Sequence, residues 1–361
     1  MRTSAWSFAE PCKKCSKLEL FAAPYVIWGT GRVAQAFYRT YCAPEGKTPI
    51  FWVDSNAAKH GSRIAGIEVV APETFYQRSE DMYAKGGRLS VVIGATGIFL
   101  LEILSLLERR MVKAAVYSAV QLDAACYFSA EHARIEKIAQ KFSDEKSRHI
   151  YRSLIANMKS GRPVDFSLYE PNQYFGNDVI GELARGEVFV DAGVCHGEEI
   201  DRAIHGGGIF VHGFEPDAEN YAYLLKKYEG RDDVRIHPCA LWDKDERLVF
   251  QSNAATPSAS RLAGADAHEE AAGIAARPLD DVLQGAACTL LKMDIEGAEY
   301  NALLGAAKTI EQHRPKLAVC VYHSLEDYVR IPELLMERYP FYRFFLRQHS
   351  ATSGETVLYA L

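Results

Sequence analysis

Val188-Phe189-Val190-Asp191-Ala192-Gly193-Val194-Cys195-His196-Gly197 is the stretch on which the fold turns. Its first four residues read as a buried strand, and the glycines after them read as a tight turn that opens a helix. In open α/β sheets a ligand sits outside the carboxyl ends of the strands, which is where such a turn lies. Gly193 tolerates backbone angles closed to other residues, and Gly193 and Gly197 would let a ligand approach the backbone. The next apolar run, Ile209 to Glu215, ends in Phe214-Glu215-Pro216. An acid at the end of the second strand is placed to accept both ribose hydroxyls of an adenosine. The turn lacks the GxGxxG crowding that brings a pyrophosphate to a helix N-terminus, so an adenosyl ligand without phosphates fits it better. The competing reading is a strand-to-helix turn that binds nothing.

The same pattern continues to the end of the chain. Val234 to Cys239, Leu290 to Asp294, Leu317 to Tyr322, Tyr342 to Leu346 and Glu355 to Leu361 read as further strands. Helical stretches at Glu198 to His205, Asp217 to Tyr228, Ala298 to Glu311 and Ser324 to Glu337 separate them at βα spacing. Only Arg347 to Gly354 lies between the last two strands, too short for a parallel crossover. The expected fold is therefore a doubly wound seven-stranded sheet whose last strand is antiparallel, over residues 187–361. The Ala-rich run Ala263 to Ala276 reads as a loop or short helix.

Upstream, the α/β signature occurs once before. Tyr25-Val26-Ile27-Trp28 reads as a strand, and Gly29-Thr30-Gly31-Arg32-Val33-Ala34 opens a helix to about Tyr41. Pro49 to Val53, Leu89 to Ile93 and Val112 to Tyr117 read as further strands, and Gly97 to Arg110 as a helix. This predicts a small Rossmann-like domain of three or four strands over residues 24–125, after an N-terminal tail at 1–23. Residues 126–186 read as a helical connector, with Gly161-Arg162-Pro163 breaking the helical pattern.

Composition narrows the function classes. Hydrophobic residues at 48% and charged residues at 24% are ordinary for a globular protein, so disorder does not dominate. With 41 Lys plus Arg against 47 Asp plus Glu, the net charge of -6 argues against nucleic acid or an anionic membrane as partner. The N-terminus lacks the apolar core of a signal peptide. The apolar stretch Leu89 to Leu107, broken by Gly94, Gly97 and Glu102, reads as strand, turn and helix, not as a membrane span. Eight cysteines scattered over 361 residues do not suggest a disulfide framework, so a cytoplasmic location is expected. Cys12 and Cys15 form one CxxC, with no second pair at zinc-site spacing.

Val188 to Gly197, Gly213-Phe214-Glu215-Pro216-Asp217, Leu279-Asp280-Asp281-Val282 and Lys292-Met293-Asp294-Ile295-Glu296-Gly297-Ala298-Glu299 together resemble the FkbM-type S-adenosylmethionine-dependent methyltransferases. Tyr322-His323 with Glu326-Asp327, and Glu355-Thr356-Val357-Leu358-Tyr359, extend the resemblance, which spans about residues 173–361. It implies a class I methyltransferase sheet, S-adenosylmethionine as cofactor, and O-methylation of a sugar or polyketide-like product. Cofactor contacts are then expected at Asp191, Gly193, Gly197, Glu215, Pro216, Ala240 and Asp294. Val194-Cys195-His196 stands where the family often has small or polar residues, which bears on access to the sulfonium.

Methyl transfer from a sulfonium is an in-line displacement, and a sugar hydroxyl needs a base or a metal to help it lose its proton. Asp294 ends the fourth strand over the ligand edge, where it reads either as a helix N-cap or as a functional acid. Glu296 and Glu299 read as cap partners near a helix N-terminus. His323 ends the fifth strand at the same edge and is the expected proton acceptor, Asp294 orienting the acceptor or the cofactor. Arg347 and His349 fall between the last two strands, where they bind substrate hydroxyls or phosphate or form a solvated hairpin. Asp294 with His323 could also ligate a divalent cation, but two ligands do not complete a site, and no metal is assigned.

In the first domain Gly29, Gly31 and Ala34, followed by Asp54, fit a dinucleotide fingerprint, although no hydride-transfer residues are evident. Val53-Asp54-Ser55, Gly61, Gly66-Ile67 and Val70-Ala71-Pro72-Glu73 resemble the N-terminal Rossmann-like domains of nucleotide-sugar modifying enzymes. That resemblance implies a nucleotide-linked sugar bound at Gly29, Gly31 and Asp54, or a domain that kept the shape and lost the ligand. The leading expectation is a methyltransferase acting on a carbohydrate or related small molecule. An NAD-dependent oxidoreductase and a non-catalytic nucleotide-sugar-binding protein are the alternatives.

Overall fold

The computed structural model describes residues 19–95, 97–160, 168–251, 261–263, 273–350 and 354–361. The Cys12–Cys15 motif, the Gly161-Arg162-Pro163 break and most of the Ala-rich run lie outside the described residues. The chain divides into two compact units, one built on Trp6–His132 with Ile155–Arg162, the other on Ala133–Leu154 with Pro163–Leu361.

The first unit contains β1 (Tyr25–Trp28), β2 (Trp52–Val53), β3 (Arg63–Ile64), β4 (Ile67–Val70), β5 (Ser90–Ile93) and β6 (Ala115–Ser118). They form one six-stranded sheet in the order β3-β4-β2-β1-β5-β6, parallel except for β3. Helices α1 (Arg32–Phe37), α2 (Pro72–Ala84), α3 (Gly97–Arg109) and α4 (Ala119–Ala130) follow their strands. All four residues of β1 are buried: Tyr25 and Ile27 pack with Phe37 and Trp52 on one face, Val26 and Trp28 with Phe51 and Phe75 on the other. Covering on both faces is what makes a parallel strand read as a continuous apolar run. The sheet is larger than the three or four strands expected, because β3 and β4 form a hairpin too short to show alternation. α2, which starts at Pro72, was also not anticipated.

α5 (His132–Lys141) and the first part of α6 (Glu145–Ser160), up to Leu154, open the second unit before its sheet. Then come β7 (Val188–Ala192), α7 (Glu198–Ile204), β8 (Phe210–Phe214), α8 (Ala218–Lys227) and β9 (Val234–His237). β10 (Ala240–Leu241), β11 (Glu246–Gln251), β12 (Arg261–Ala263) and β13 (Ile274–Arg277) form a separate small sheet. The chain continues through α9 (Leu279–Leu283), β14 (Leu290–Met293), α10 (Glu299–Leu304), α11 (Ala307–His313), β15 (Lys316–Cys320), α12 (Asp327–Arg338), β16 (Phe344–Gln348) and β17 (Thr356–Ala360). The main sheet runs β16-β17-β15-β14-β7-β8-β9, with β17 antiparallel to both neighbours, as the spacing predicted.

Two local features depart from expectation. The small sheet between β9 and α9 was not foreseen, and the predicted helix Ala298 to Glu311 is two helices. Their break falls at Gly305, where a Cβ would run into the carbonyl oxygen of Trp242. Among the described residues no helix is long and apolar enough to cross a membrane, and Leu89 to Leu107 is β5, a turn and α3.

β16 is an edge strand, and an open edge is a hazard that proteins cover. Here Phe344 N–H donates to Ser143 Oγ at 3.0 Å and Leu346 N–H to Ser147 Oγ at 2.8 Å. Arg347 fastens the same seam. Its guanidinium donates to Asp178 at 2.8 and 3.0 Å, to Asp144 at 2.7 Å and to Ser147 Oγ at 2.9 Å, with 3% of the side chain exposed. Replacing Arg347 by Ala should therefore destabilise the second unit by about 1 to 3 kcal/mol, the range for losing hydrogen bonds to charged groups, because its aspartates keep 31% and 41% of their side chains exposed. Urea unfolding measures it, and a loss below about 0.5 kcal/mol, the size of an ordinary surface substitution, would show the seam to be inessential.

Candidate functional site

β7 lies mid-sheet, and the chain leaves it for β8 and β9 on one side and for β14 and β15 on the other. Such a reversal of strand order opens a crevice at the carboxyl end of the strand. The expected turn, residues 192–197, lies there.

Lys292 shapes that turn from below. Register pairs Lys292 of β14 with Asp191 of β7, and the ammonium sits 2.8 Å from the carboxylate, with 2% and 0% of the side chains exposed. The other two donors of Lys292 go to the carbonyls of Ala192 at 3.1 Å and Gly193 at 2.8 Å. Two ammonium protons thus have carbonyl acceptors, and the Asp191 carboxylate faces the same charge as an ion pair, the compensation a buried charge requires. Burial pushes the Asp191 carboxyl up to about 6 against the pull of Lys292. Lys292 is raised as well, for the opposite reason: burial opposes its charge, but the carboxylates of Asp191 and Asp294 outweigh burial. Asp191 has no accessible surface, so its side chain does not meet a ligand as expected; it acts on the turn through Lys292.

The glycines answer to close packing. Gly193 has φ +85°, and a Cβ there would run into the carbonyl oxygen of Asp294. Gly197 has φ +81°, and a Cβ would meet the hydroxyl of Tyr228, which donates to the Gly197 carbonyl at 2.9 Å. Beside the turn, Glu215 is 5% exposed and accepts from Cys195 N–H at 2.8 Å and from Asp217 N–H at 2.9 Å. Burial raises its carboxyl, against those two backbone bonds. Its position is fixed by these bonds and by the Asn220 side chain, which leaves about one of a carboxylate's roughly four lone-pair sites for a ligand. Pro216 leads into Asp217, which caps α8, and Ala240 is a buried residue at the start of β10.

Asp294 follows β14 and is not the expected helix cap: Ala298 occupies the N-cap of α10. Instead Tyr174 donates to Asp294 Oδ2 at 2.8 Å and Tyr322 to Oδ1 at 3.2 Å. Glu299 is fully buried and accepts from Ile295 N–H at 2.8 Å, the loop-capping part foreseen for it. Between them lies His323. Its Nε2 is 3.3 Å from Asp294 Oδ1 and 3.6 Å from Glu296 Oε2, and its Nδ1 is 3.0 Å from Glu299 Oε1. Burial disfavours the charged imidazole, but the Glu299 and Asp294 carboxylates outweigh it and hold its pKa well above the ordinary value. Burial likewise opposes charge on Asp294, yet His323, Lys292 and Tyr174 keep that carboxyl below its ordinary range. His323 thus stands between the two buried acids, one ring nitrogen facing each.

Arg347 and His349 do not join this cluster. Arg347 is inside β16 and committed to its two aspartates. His349 is 7% exposed, its ring nitrogens 2.7 Å from the Glu170 carbonyl and 2.9 Å from the Tyr359 hydroxyl. Burial pushes its pKa down to about 4. Neither reading of this hairpin, substrate contact or solvated turn, fits two buried and partnered side chains. Tyr174 was not anticipated: it lies in irregular chain before the sheet, with φ +67°, and no motif marks it.

In the first unit Gly29 has φ +102° and Gly31 caps α1, a helix of six residues. Asp54 is turned inward: Oδ2 accepts from Thr30 N–H at 3.1 Å, from the Thr30 hydroxyl and from Lys59 at 3.1 Å, and Oδ1 from Asn56 N–H at 2.8 Å. The carboxylate expected on a ribose closes its own turn.

Residues 191–349 match the family described as Methyltransferase FkbM domain. The crystal structure of Methyltransferase FkbM from Methylobacillus flagellatus aligns with TM-score 0.62 and 20% identity, over 98% of this chain and 94% of that one. At that identity the likeness shows the fold. An rRNA methylase from Streptococcus thermophilus aligns at TM-score 0.30 and 12% identity, over 50% of this chain and 87% of that one. Aeropyrum pernix fibrillarin with natively bound S-adenosyl-L-methionine aligns at TM-score 0.33 and 11% identity, over 51% of this chain and 70% of that one. Both are too distant in shape to inform the chemistry. No curated protein matches the sequence.

Lys292→Met leaves Asp191 buried without its counter-charge and should cost about 3 to 5 kcal/mol. The double variant Lys292→Met, Asp191→Asn removes both charges and should recover part of that loss. Urea unfolding of the two proteins decides it. A double variant no more stable than the single would mean that the pair is not what holds the turn.

Proposed function

We propose that this chain, which carries an FkbM methyltransferase domain over residues 191–349, binds S-adenosylmethionine on the turn after β7 and methylates a hydroxyl of a carbohydrate or related small molecule. The observation that carries the cofactor is Glu215. It is buried at the end of the second strand, tied by its carboxylate to the backbone N–H of Cys195 in the turn. A ribose laid across the turn would find an oriented acceptor there, and the turn has no room for a Cβ at Gly193. Pro216 and Ala240 would flank the adenine side. In this reading Asp294 and His323 flank the acceptor hydroxyl at the neighbouring strand ends, and Tyr174 and Tyr322 hold Asp294 in place.

Glu215→Ala should weaken S-adenosylmethionine binding by about 1 to 3 kcal/mol in a folded protein, the range for losing a hydrogen bond to a charged group. Calorimetry with a thermal melt on the same sample reads this, and unchanged affinity would remove the cofactor from this turn. His323→Ala should lower turnover about a hundredfold while leaving cofactor affinity near wild type, the signature of a group used in the transition state. Methyl-transfer assays against a panel of sugars and nucleotide-linked sugars supply the turnover measurement. Full activity in the variant would place the acceptor elsewhere along the edge.

A further inference from the structure

We propose that Asp294, Glu299 and His323 form a binding site for one divalent cation of the Mg²⁺ or Mn²⁺ class. One carboxylate oxygen from each acid and one ring nitrogen lie within 4.8 Å of one another. Octahedral ligands about 2.1 Å from an ion stand about 3.0 Å apart in cis and about 4.2 Å in trans, so small side-chain rotations close the set. The three come from three places along the chain: the residue after β14, the start of α10 and the loop three residues past β15.

A second observation points to a ligand. Glu299 is fully buried, and while Oε1 takes the Ile295 N–H, Oε2 has no hydrogen-bond partner. Both ring nitrogens of His323, a side chain 6% exposed, also lack an aligned hydrogen-bond partner despite the carboxylates beside them. Buried polar atoms left in this way are costly, and an ion is one of the few things that satisfies several at once. The local charge runs the same way. Glu296 adds a third carboxylate beside His323. Lys292 is committed to Asp191, and Arg330 to Asp327 at 2.7 Å. Two carboxylates with one imidazole suit a divalent ion that takes mostly oxygen ligands. The site deepens the reading above and rests on it only for its use: an ion here would stand beside the acceptor hydroxyl and polarise it.

The test is Mn²⁺ titration of the full chain, stripped with a chelator and free of S-adenosylmethionine, followed by electron paramagnetic resonance. Wild type should bind one ion per chain. Glu299→Gln keeps an acceptor for the Ile295 N–H but removes the charge, and it should weaken Mn²⁺ at least tenfold, as should His323→Asn. The exposed Glu145→Gln should leave it unchanged. Should Glu299→Gln not fold, His323→Asn carries the comparison. No Mn²⁺ bound by wild type, or undiminished binding in both folded variants, overturns the site. Calorimetry with S-adenosylmethionine on the same samples separates the two readings. Cofactor binding without Mn²⁺ binding overturns the cation site alone, and Mn²⁺ lost in the variants with no cofactor binding upholds it while overturning the methyltransferase reading.

Discussion

A single buried ion pair, Lys292 with Asp191, sets the geometry on which the second unit's edge depends. Two adjacent central strands each place one charge at the same level, in a layer otherwise built of Leu, Val and Phe. Desolvating both is expensive, and Coulomb attraction alone does not reliably return it. The arrangement persists because the ammonium also gathers two carbonyls at the exit of β7. Tyr174 stacks above, its ring 5.2 Å from Nζ, and reaches on to Asp294. Strand side chains alternate, so Lys292 and Asp294, two residues apart, share a face. One short motif thus supplies the support of the turn after β7 and an acid at the edge above it.

Much of this architecture can be read from the chain alone, for a physical reason. Buried parallel strands are short apolar runs, and each strand exit needs a turn, so β7, β8, β9, β14 and β15 announce themselves. The antiparallel end follows from the length of one connection. What cannot be read is what depends on register. A lysine inside Leu290-Leu291-Lys292-Met293 looks like an interruption until β14 is laid against β7, 101 residues earlier, and the facing residue proves to be Asp191. Tyr174 is hidden for the same reason, since its partners Asp294 and Tyr359 lie 120 and 185 residues away.

Three candidate residues lie deeper than their sequence positions suggest. Arg347 and His349 were placed by sequence position at a strand end, where exposed groups meet ligands. The structure pulls them under cover, because the edge strand needs partners and Asp144, Asp178 and Glu170 supply them. Asp54 sits where a ribose acid would, but its turn contains Thr30 and Lys59, which claim the carboxylate first. A fingerprint records where a residue stands; only the surrounding donors decide whether it is available.

The covered edge at β16 also constrains how the second unit is made. Ser143, Ser147 and Asp144 bond to Phe344, Leu346 and Arg347 across separations of 199 to 203 residues. The closing segment therefore leaves the ribosome before the first strand of the sheet, 201 residues ahead of its partner strand. Contacts of that span carry a large loop-closure cost and slow the search for the native state. At about 5 to 20 residues per second, the serines wait on the order of ten seconds or more with nothing to bind. Until then β15 lacks its antiparallel neighbour, and the growing chain presents the open edge that the finished sheet covers.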